Sequence, residues 1–509
     1  MQSVKTGARL MSTKMVTLWA GLLLSVAIRF LLSAMGSASL LGRRLEVVSP
    51  VTSLTRLAEG QWLKQLGLSP YAGSVYHGSP LLLSLLGPFI GNRRDMLLII
   101  ESEKSDLCSF WVFVAADLIG ALLLRSMGES LESAHVQHLS LLGLTSEQIP
   151  TSDDKAKSQG SRRWGTGNTA ALFYLLNPFT IAVCIGGSTS PIENMLTILA
   201  LYGAIAGIVP LAGFGWAMAT HVGMYPAILF IPIACLLANG PDGPPSKLYK
   251  SPELVQGVHD RDEKCSSEIG NFQQQPAMHV IKSSNTNVTL SSGAKWLVVL
   301  KLIMWSTISW LCILGLCNFS LHEHASLHDM WSETYRFILT VEDLSPNLGI
   351  FWYFFTEVFD FFRPFFIMVF HSNIVFMVMP LTIRLHHRPV FLAFTLTAIS
   401  SMLKSYPSVG DAALYLGLMC LCIHQLSGLQ YFYLLLNGYF FTAIIGPVMY
   451  NLWIWRGTGN ANFYFAMNLV YATLQTVLIV ESSSTIIRYD RNLKKQSVKR
   501  SRTITNCSS

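Results

Sequence analysis

Residues 428–450 read GLQYFYLLLNGYFFTAIIGPVMY, and this stretch contains no Asp, Glu, Lys or Arg. The hydrocarbon core of a bilayer is about 30 Å thick, and a helix of about 20 apolar residues crosses it. In that setting, only a helix or a closed barrel satisfies its own backbone hydrogen bonds. The stretch therefore predicts a transmembrane helix.

The same apolar pattern recurs along the whole chain. Clear spans are predicted at 15–35, 107–127, 296–317, 362–383 and 463–480, and shorter or Pro-broken ones at 80–90, 170–186, 192–209, 225–238, 390–403 and 412–426. Charged residues make up only 13% of the 509 residues, whereas about a quarter of the residues in a soluble chain are charged. The sequence thus predicts an all-α integral membrane protein with about ten to twelve transmembrane helices, and it excludes a soluble enzyme.

Charged residues at the two ends predict the orientation in the membrane. Three basic residues and no acid precede the first span, and seven basic residues against one Asp follow the last span in the tail 484–509. Cytoplasmic segments are enriched in positive charge, so both termini are predicted to be cytoplasmic. The loop 36–79 then faces the lumen, and its Arg43 and Arg44 run against the same rule.

Two polar segments interrupt the apolar pattern. Residues 128–168 are rich in Ser, Gly and charge, and residues 239–295 are poor in apolar residues. Such segments cannot bury a hydrophobic core of their own. We interpret them as connections between spans, so that residues 1–509 form a single polytopic membrane domain.

Ionisable residues inside or beside the predicted spans are the first candidates for function. Charge is costly in a bilayer, so an intramembrane charged residue is a functional hypothesis by default. Arg29, Asp117 and Asp411 qualify, as do Lys301 and Lys404. The structural alternative is that the side chain pairs with a neighbouring helix or reaches the interface, which we favour for the two lysines. A pair between Arg29 and Asp117 is compatible with the sequence.

The sequence predicts no cofactor and no metal site. Most of its nine cysteines fall within or beside predicted spans, where cysteine behaves as a small hydrophobe. His322, His324 and His328 lie in a polar loop, where solvated histidines are the simpler interpretation. Neither a CxxC pair nor a G-x-S-x-G elbow is present. These patterns therefore indicate neither a catalytic nucleophile nor a set of metal ligands in this chain.

Pro-rich and aromatic motifs stand at several span edges. They are EVVSP at 46–50, LSPY at 68–71, YHGSPL at 76–81, FYLLNP at 173–178 and HVGMYP at 221–226. In physical terms, Pro ends or begins a helix at these points and the rings favour the membrane interface. In this order, the motifs resemble the GT-C membrane glycosyltransferases that add mannose to glycosylphosphatidylinositol (GPI).

Three longer motifs narrow this resemblance to one branch. They are DLSPNLGIFWYFF at 343–355, KSYPSVGDAALY at 404–415 and GNANFY at 459–464. They closely resemble the PIG-U family, whose members are multi-spanning subunits of the GPI transamidase. The resemblance implies a GT-C-like bundle in the endoplasmic reticulum membrane. It also implies partner subunits, because that complex joins a protein to the ethanolamine of GPI with a cysteine on a separate protease-like subunit.

The predicted luminal loop lacks the acids that a GT-C transferase needs. Such an enzyme uses an acidic residue, commonly an Asp in an acidic pair, to bind a metal or take a proton from the acceptor. Here the loop holds only Glu46 and Glu59, and Gly223 stands where the mannosyltransferases tend to carry a Lys. For Glu46, a capping role or an ion pair with Arg43 is a simpler interpretation than a lone catalytic base.

We therefore predict a non-catalytic subunit of the GPI transamidase complex that binds or presents GPI, or the attachment signal of the protein. The alternatives are a GPI mannosyltransferase that uses dolichyl-phosphate-mannose, and a lipid transporter. The missing acids disfavour the first alternative. The second requires internal repeats, and none is convincing in this sequence.

The candidate GPI-binding residues are Asn460, Asn462, His77, Phe351, Trp352 and Tyr353. Amide side chains just before a span can bond to sugar or phosphate oxygens, and the aromatic run can line an apolar groove for acyl chains. The alternative for Asn462 is capping of the last span at Phe463, and the alternative for each ring is ordinary packing.

Overall fold

The computed structural model describes residues 2–73, 75–90, 107–141, 165–245, 292–322 and 324–508, and within these ranges the chain is helical without a strand. The α-helices are α1 (Gln2–Ala34), α2 (Ser37–Gly42), α3 (Leu54–Gln65), α4 (Pro80–Leu86), α5 (Leu107–Leu141), α6 (Thr166–Leu176), α7 (Pro178–Ile185), α8 (Ser190–Ile205), α9 (Val209–Gly223), α10 (Phe230–Asn239), α11 (Ser292–Leu321), α12 (Leu327–Trp331), α13 (Phe337–Thr340), α14 (Phe351–Glu357), α15 (Arg363–Leu385), α16 (Pro389–Met402), α17 (Val409–Leu421), α18 (Phe432–Tyr450) and α19 (Ala461–Ser508).

Six helices of the described ranges are long and apolar enough to cross a membrane. They lie in α1, α5, α11, α15, α18 with its following turn, and α19. A seventh span results if the bent pair α6 and α7 is taken as one, and four shorter apolar helices accompany them. The prediction of a polytopic helical membrane protein is confirmed, whereas a total of ten to twelve spans stays a prediction.

The FYLLNP motif breaks one span into α6 and α7. Pro178 has no backbone N–H, so it cannot continue the hydrogen bonds of α6. Asn177 adopts an extended conformation and its side chain accepts a hydrogen bond from the Phe179 N–H at 3.0 Å, which starts α7. The two helix axes differ by 47° as a result.

The helix α16 lies at the centre of the bundle. Its residues 389–401 are all buried, and most of them are apolar, as expected of a helix enclosed by others. Phe391 and Phe394 are fully buried in the largest core, which also holds Tyr174 and Tyr415. Asp242 starts the helix, because its carboxylate accepts the Val390 and Phe391 N–H groups at 2.6 and 3.2 Å. A short apolar helix is thus stable here because other helices cover it.

Parts of the two polar segments are helical. The helix α5 continues to Leu141 and α6 begins at Thr166, so residues 128–141 and 166–168 belong to helices. The helix α11 likewise begins at Ser292. Residues 142–164 and 246–291 lie outside the described residues. The tail 484–508 continues α19 without a break, so its basic residues extend the last helix.

A buried ion pair joins α1 to α5. Arg29 Nη2 lies 3.0 Å from the Asp117 carboxylate, and both side chains are about 1% exposed. Arg29 also donates to the Leu175 carbonyl at 3.0 Å, and the Tyr174 hydroxyl donates to Asp117 at 3.3 Å. These contacts favour the structural interpretation of both charged residues, since each finds its partner on another helix.

A second buried ion pair fixes the far end of α19. Arg388 Nη2 lies 2.5 Å from the Asp490 carboxylate, and His387 Nε2 contacts the same carboxylate at 3.0 Å. The Tyr489 ring packs against the Arg388 guanidinium, with 5.5 Å between the guanidinium carbon and the ring centroid. This cluster ties the last helix to the turn between α15 and α16.

Candidate functional site

Four motifs that are far apart in the sequence meet at one end of the bundle. The Val409 N–H donates to the Glu46 carbonyl at 2.9 Å, which joins the loop after α2 to the start of α17. Asn468 Nδ2 donates to the Asn347 carbonyl at 2.6 Å, which joins α19 to the loop before α14. We call the surface made by residues 43–53, 341–350, 404–409 and 456–462 the loop end.

Asn460 caps the last helix at the loop end. Its side-chain oxygen accepts a hydrogen bond from the Phe463 N–H at 3.3 Å, and α19 begins at the next residue, Ala461. The sequence suggested Asn462 as the residue that caps at Phe463, and the structure corrects this. The capping residue stands three positions before its donor, and Asn460 alone has that spacing.

Asn462 instead pairs with Tyr353 of α14. The Tyr353 hydroxyl donates a short hydrogen bond to Asn462 Oδ1, and Asn462 is exposed. The Tyr353 ring also stacks on Phe465, with 4.5 Å between ring centroids. Two candidate residues from separate family motifs therefore form one polar contact at the surface of the loop end.

The other two aromatic candidates face the protein interior. Phe351 is fully buried and stacks on Phe370 with 5.0 Å between ring centroids. Trp352 is 3% exposed and lies against Trp453, 6.0 Å between centroids. Both rings thus pack against protein, because α14 turns one face inward. The exposed apolar surface follows directly after α14, where the rings of Phe359, Phe361 and Phe362 are 80%, 86% and 49% exposed.

His77 is buried beside the same end of the bundle. Its ring stacks on Phe337 with 3.5 Å between centroids, and its Nδ1 lies 2.9 Å from the Glu333 carbonyl. The Phe337 ring stacks in turn on Tyr406 of the loop end, 5.2 Å between centroids. His77 therefore holds the YHGSPL motif against the core, and it is 5% exposed.

Ser79 and His221 form a buried polar relay with Tyr335. Ser79 Oγ lies 2.7 Å from His221 Nε2, and His221 Nδ1 lies 2.7 Å from the Tyr335 hydroxyl. A serine beside a histidine is also the pair that activates a nucleophile. Here Ser79 Oγ accepts the Leu81 N–H at 3.1 Å and so caps α4, and all three side chains are buried. The relay joins α4, α9 and the turn before α13.

Removal of one hydroxyl from this relay should destabilise the protein. In Tyr335→Phe, His221 loses its partner at Nδ1, and an unpaired buried polar group costs about 1–3 kcal/mol. We expect a lower midpoint of thermal unfolding for the purified variant in detergent. Tyr433→Phe on α18 is the control, because that side chain is 77% exposed. An equal midpoint for both variants would contradict the structural role of the relay.

Lys404 lies between two carboxylates. Its Nζ is 2.9 Å from Asp411 and 3.4 Å from Glu193. Asp411 and Ser408 together form the capping box of α17. The Asp411 carboxylate therefore accepts a backbone N–H at the start of this helix. Glu193 packs against Gly223, where an added Cβ would come within 2.0 Å of the Glu193 carboxylate. Of the two structural alternatives for Lys404, reaching the interface or pairing with a neighbouring helix, the structure shows the second.

Glu46 is buried and unpaired, which the sequence does not predict. It is 6% exposed, and neither of its carboxylate oxygens has a hydrogen-bond partner among the described residues. Burial raises the pKa of Glu46, and the nearby Arg44 guanidinium and Tyr464 hydroxyl offset this effect only in part. The predicted ion pair with Arg43 is wrong in the described structure, since Arg43 is exposed and forms no pair with Glu46.

Asp343 is a second carboxylate of the loop end, and it pairs with Arg56. Its carboxylate accepts hydrogen bonds from Ser345 and lies 2.9 Å from Arg56 Nη2. Burial alone would raise the pKa of Asp343, but the Ser345 hydrogen bonds and the Arg56 guanidinium together hold it below its usual value. This carboxylate is therefore ionised and satisfied, which contrasts with Glu46.

Comparison with known proteins agrees with the motifs that form this site. A family model described as GPI transamidase subunit PIG-U matches residues 23–471, which include the whole loop end. The chain belongs to the PIG-U family. It is similar to the GPI-anchor transamidase component PIGU of Homo sapiens, with 30% identity over 458 residues that cover 90% of this chain and 91% of the human protein.

Fungal members of the PIG-U family are similar over the same extent. The GPI transamidase component GAB1 homolog of Schizosaccharomyces pombe is 27% identical and covers 89% of each chain. The GPI transamidase component GAB1 of Saccharomyces cerevisiae is 25% identical, covering 89% of this chain and 90% of the yeast protein. The similarity therefore spans the body of the bundle, and the PIG-U match ends within α19 before its basic extension.

Proposed function

We propose that this chain is a non-catalytic subunit of a GPI transamidase complex in the endoplasmic reticulum membrane, and that it binds the GPI headgroup at the loop end. The observation that carries the proposal is the exposed contact between Tyr353 and Asn462, which joins two PIG-U motifs. The relatives bear names of transamidase components, which supports membership of that complex.

The chemistry of GPI fits the surroundings of this contact. GPI carries acyl chains and a phosphate-bearing glycan, so its receptor needs apolar surface in the membrane beside hydrogen-bonding groups outside it. Asn462 offers an amide, and the exposed rings of Phe359, Phe361 and Phe362 offer apolar surface close by in sequence to Tyr353. The basic extension of α19 favours a cytoplasmic C-terminus, so the start of α19 would face the lumen.

Three features support a role without catalysis. Glu193 fills the space beside Gly223, the position where the mannosyltransferases tend to carry a Lys. Ser79 is engaged as a helix cap, and no acid is among the described groups that shift the pKa of Glu46. A mannosyltransferase is therefore disfavoured as the alternative. A cysteine nucleophile on a partner subunit, as the family resemblance implies, would supply the chemistry.

The decisive variant is Asn462→Leu. If Asn462 bonds to the headgroup, its loss leaves a ligand oxygen unpaired, which costs on the order of 1–3 kcal/mol or roughly five- to a hundredfold in affinity. We expect a corresponding fall in the surface display of GPI-anchored proteins in cells that lack the endogenous subunit. Flow cytometry at limiting expression of the variant measures this display, and co-purification of partner subunits measures assembly.

Two matched variants separate binding from structure. Tyr353→Phe removes the same internal hydrogen bond but keeps the Asn462 amide, so it should retain more display than Asn462→Leu. Asn460→Ser keeps the cap of α19, because Ser caps about as well as Asn, and should stay close to wild type. Full display by a normally assembled Asn462→Leu would refute headgroup binding at this residue. The entrance around His77 would then be tested next.

A further inference from the structure

The Glu46 carboxylate lies near Tyr464 and Tyr450, which belong to a cluster of four aromatic rings. Tyr464 and Tyr450 are in contact, with 5.3 Å between ring centroids, and Trp352 lies 5.9 Å from Tyr464. Trp453 completes the cluster, 6.0 Å from Trp352 and 6.2 Å from Tyr450. We call these four rings the aromatic cluster. Three helices supply it, since the rings come from α14, from α18 with its following turn, and from α19.

Three buried polar groups in this place lack hydrogen-bond partners within the described part of the chain. They are the Glu46 carboxylate, the Tyr464 hydroxyl and the Trp352 indole N–H, and of these the Tyr464 hydroxyl is close enough to the Glu46 carboxylate to lower its pKa. Buried polar groups are nearly always hydrogen-bonded, and each one left unpaired is costly. Even with Tyr464 beside it, the Glu46 carboxylate lacks a full set of partners, as does the Trp352 N–H, and this points to an absent ligand that bears complementary groups.

The charges around Glu46 define what this ligand must carry. Arg44 is the nearby cation, but its Nη1 is directed to the Pro447 carbonyl at 3.4 Å, and no ion pair with Glu46 forms among the described residues. A buried carboxylate beside the rings of Tyr464 and Tyr450 suits an ammonium group, which gives three N–H donors and is attracted to ring faces. The Trp352 N–H can donate to an adjacent phosphate oxygen.

We propose that Glu46 and the aromatic cluster hold a primary ammonium group of the GPI headgroup, next to one of its phosphates. The proposal rests on the GPI binding proposed above and adds a second contact to it. Asn462 lies two residues before Tyr464, so both contacts belong to the start of α19. Glu46 fixes the amine in its protonated form, which is not nucleophilic, so the site holds and orients the lipid.

The ligand would enter past Tyr450 and Trp453, which are the two rings of the cluster that are partly exposed. The chain from Asn451 to Trp455 forms a π-helical turn directly after α18. Such turns are less regular than an α-helix and often occur at functional sites. A rearrangement of this turn would open the cluster without disturbing the buried core.

The test compares ligands on the intact complex. Wild-type complex in nanodiscs is titrated with a synthetic GPI that has free amines, with the same GPI acetylated only at the ethanolamine amine, and with one acetylated only at the glucosamine amine. Acetylation removes the positive charge. We expect at least tenfold weaker binding for one of the acetylated forms, and that form identifies the amine that is held.

Glu46→Gln should abolish this preference while binding of the acetylated form stays close to wild type, and Glu59→Gln in the same loop should keep the preference. If Glu46→Gln does not assemble, Tyr450→Leu takes its place with the same expectation. Equal binding of all three ligands by the wild type, or a full preference in the variant, would overturn the ammonium site and leave GPI binding intact. If no ligand binds, the proposed function fails as well.

Discussion

Lys404→Met is expected to lower the free energy of unfolding by about 3–5 kcal/mol, because it leaves the buried Glu193 and the partly buried Asp411 carboxylates without their shared cation. The ammonium lies 2.9 Å from one carboxylate and 3.4 Å from the other, and it packs against the Tyr225 ring with 5.7 Å to the centroid. Unfolding of the purified complex in a titration with sodium dodecyl sulfate measures this effect, together with the level of the chain in membranes.

The control for this variant is Lys301→Met on α11. Lys301 is also a lysine of a predicted span, but its side chain is exposed, so its loss should change stability little. The triple variant that adds Glu193→Gln and Asp411→Asn to Lys404→Met removes the uncompensated charges and should recover a large part of the loss. A Lys404→Met protein as stable as Lys301→Met would show that the buried carboxylates need no cation.

Asp117→Ala is expected to be as damaging, because it leaves the Arg29 guanidinium charged and buried between α1 and α5. Removing one partner of a buried ion pair costs about 3–5 kcal/mol, whereas replacing both by apolar residues of similar volume is often neutral. We therefore expect a marked loss of folded chain for Asp117→Ala and substantial recovery for the double variant Arg29→Met with Asp117→Leu. Thermal unfolding in detergent and the steady-state level report both effects.

The contrast between the single and the double variant tests what this pair does. If the double variant is stable but the display of GPI-anchored proteins is lost, the pair has a role beyond structure. Arg384→Met, at an exposed position near the end of α15, controls for the loss of an arginine as such. Comparable damage from Arg384→Met would contradict the assignment of the cost to burial.

Much of the fold could be predicted from the sequence, because helix formation in a membrane depends on local composition. The long helices α1, α5, α11, α15, α18 and α19 each contain one of the spans predicted from apolar runs. The break at Pro178 is also a local property, since a residue without an N–H interrupts any helix. The ends of α5 and α19 were missed, because a helix can continue into polar sequence when packing or water satisfies its side chains.

The candidate site could be predicted in part. Its motifs marked the correct stretches, and Tyr353 and Asn462 proved to be in contact. The motif around Phe351 and Trp352 gave no sign of which face of α14 turns inward. The sequence could not decide whether Asn460 or Asn462 caps α19. That decision requires the first residue of the helix, which differs by two positions between the two possibilities.

The sequence by itself determined the class of the protein, its family and the candidate functional residues, because hydropathy and motif spacing are properties of neighbouring residues. Only the tertiary structure decided which residues are partners. Arg29 pairs with Asp117, and Lys404 pairs with Glu193. Glu46 forms no ion pair and lies beside Tyr464, a residue more than 400 positions away in the sequence. Such pairings depend on how helices pack against one another. Within a bilayer they matter more than in water, because a buried charge without a partner has no water molecules to solvate it.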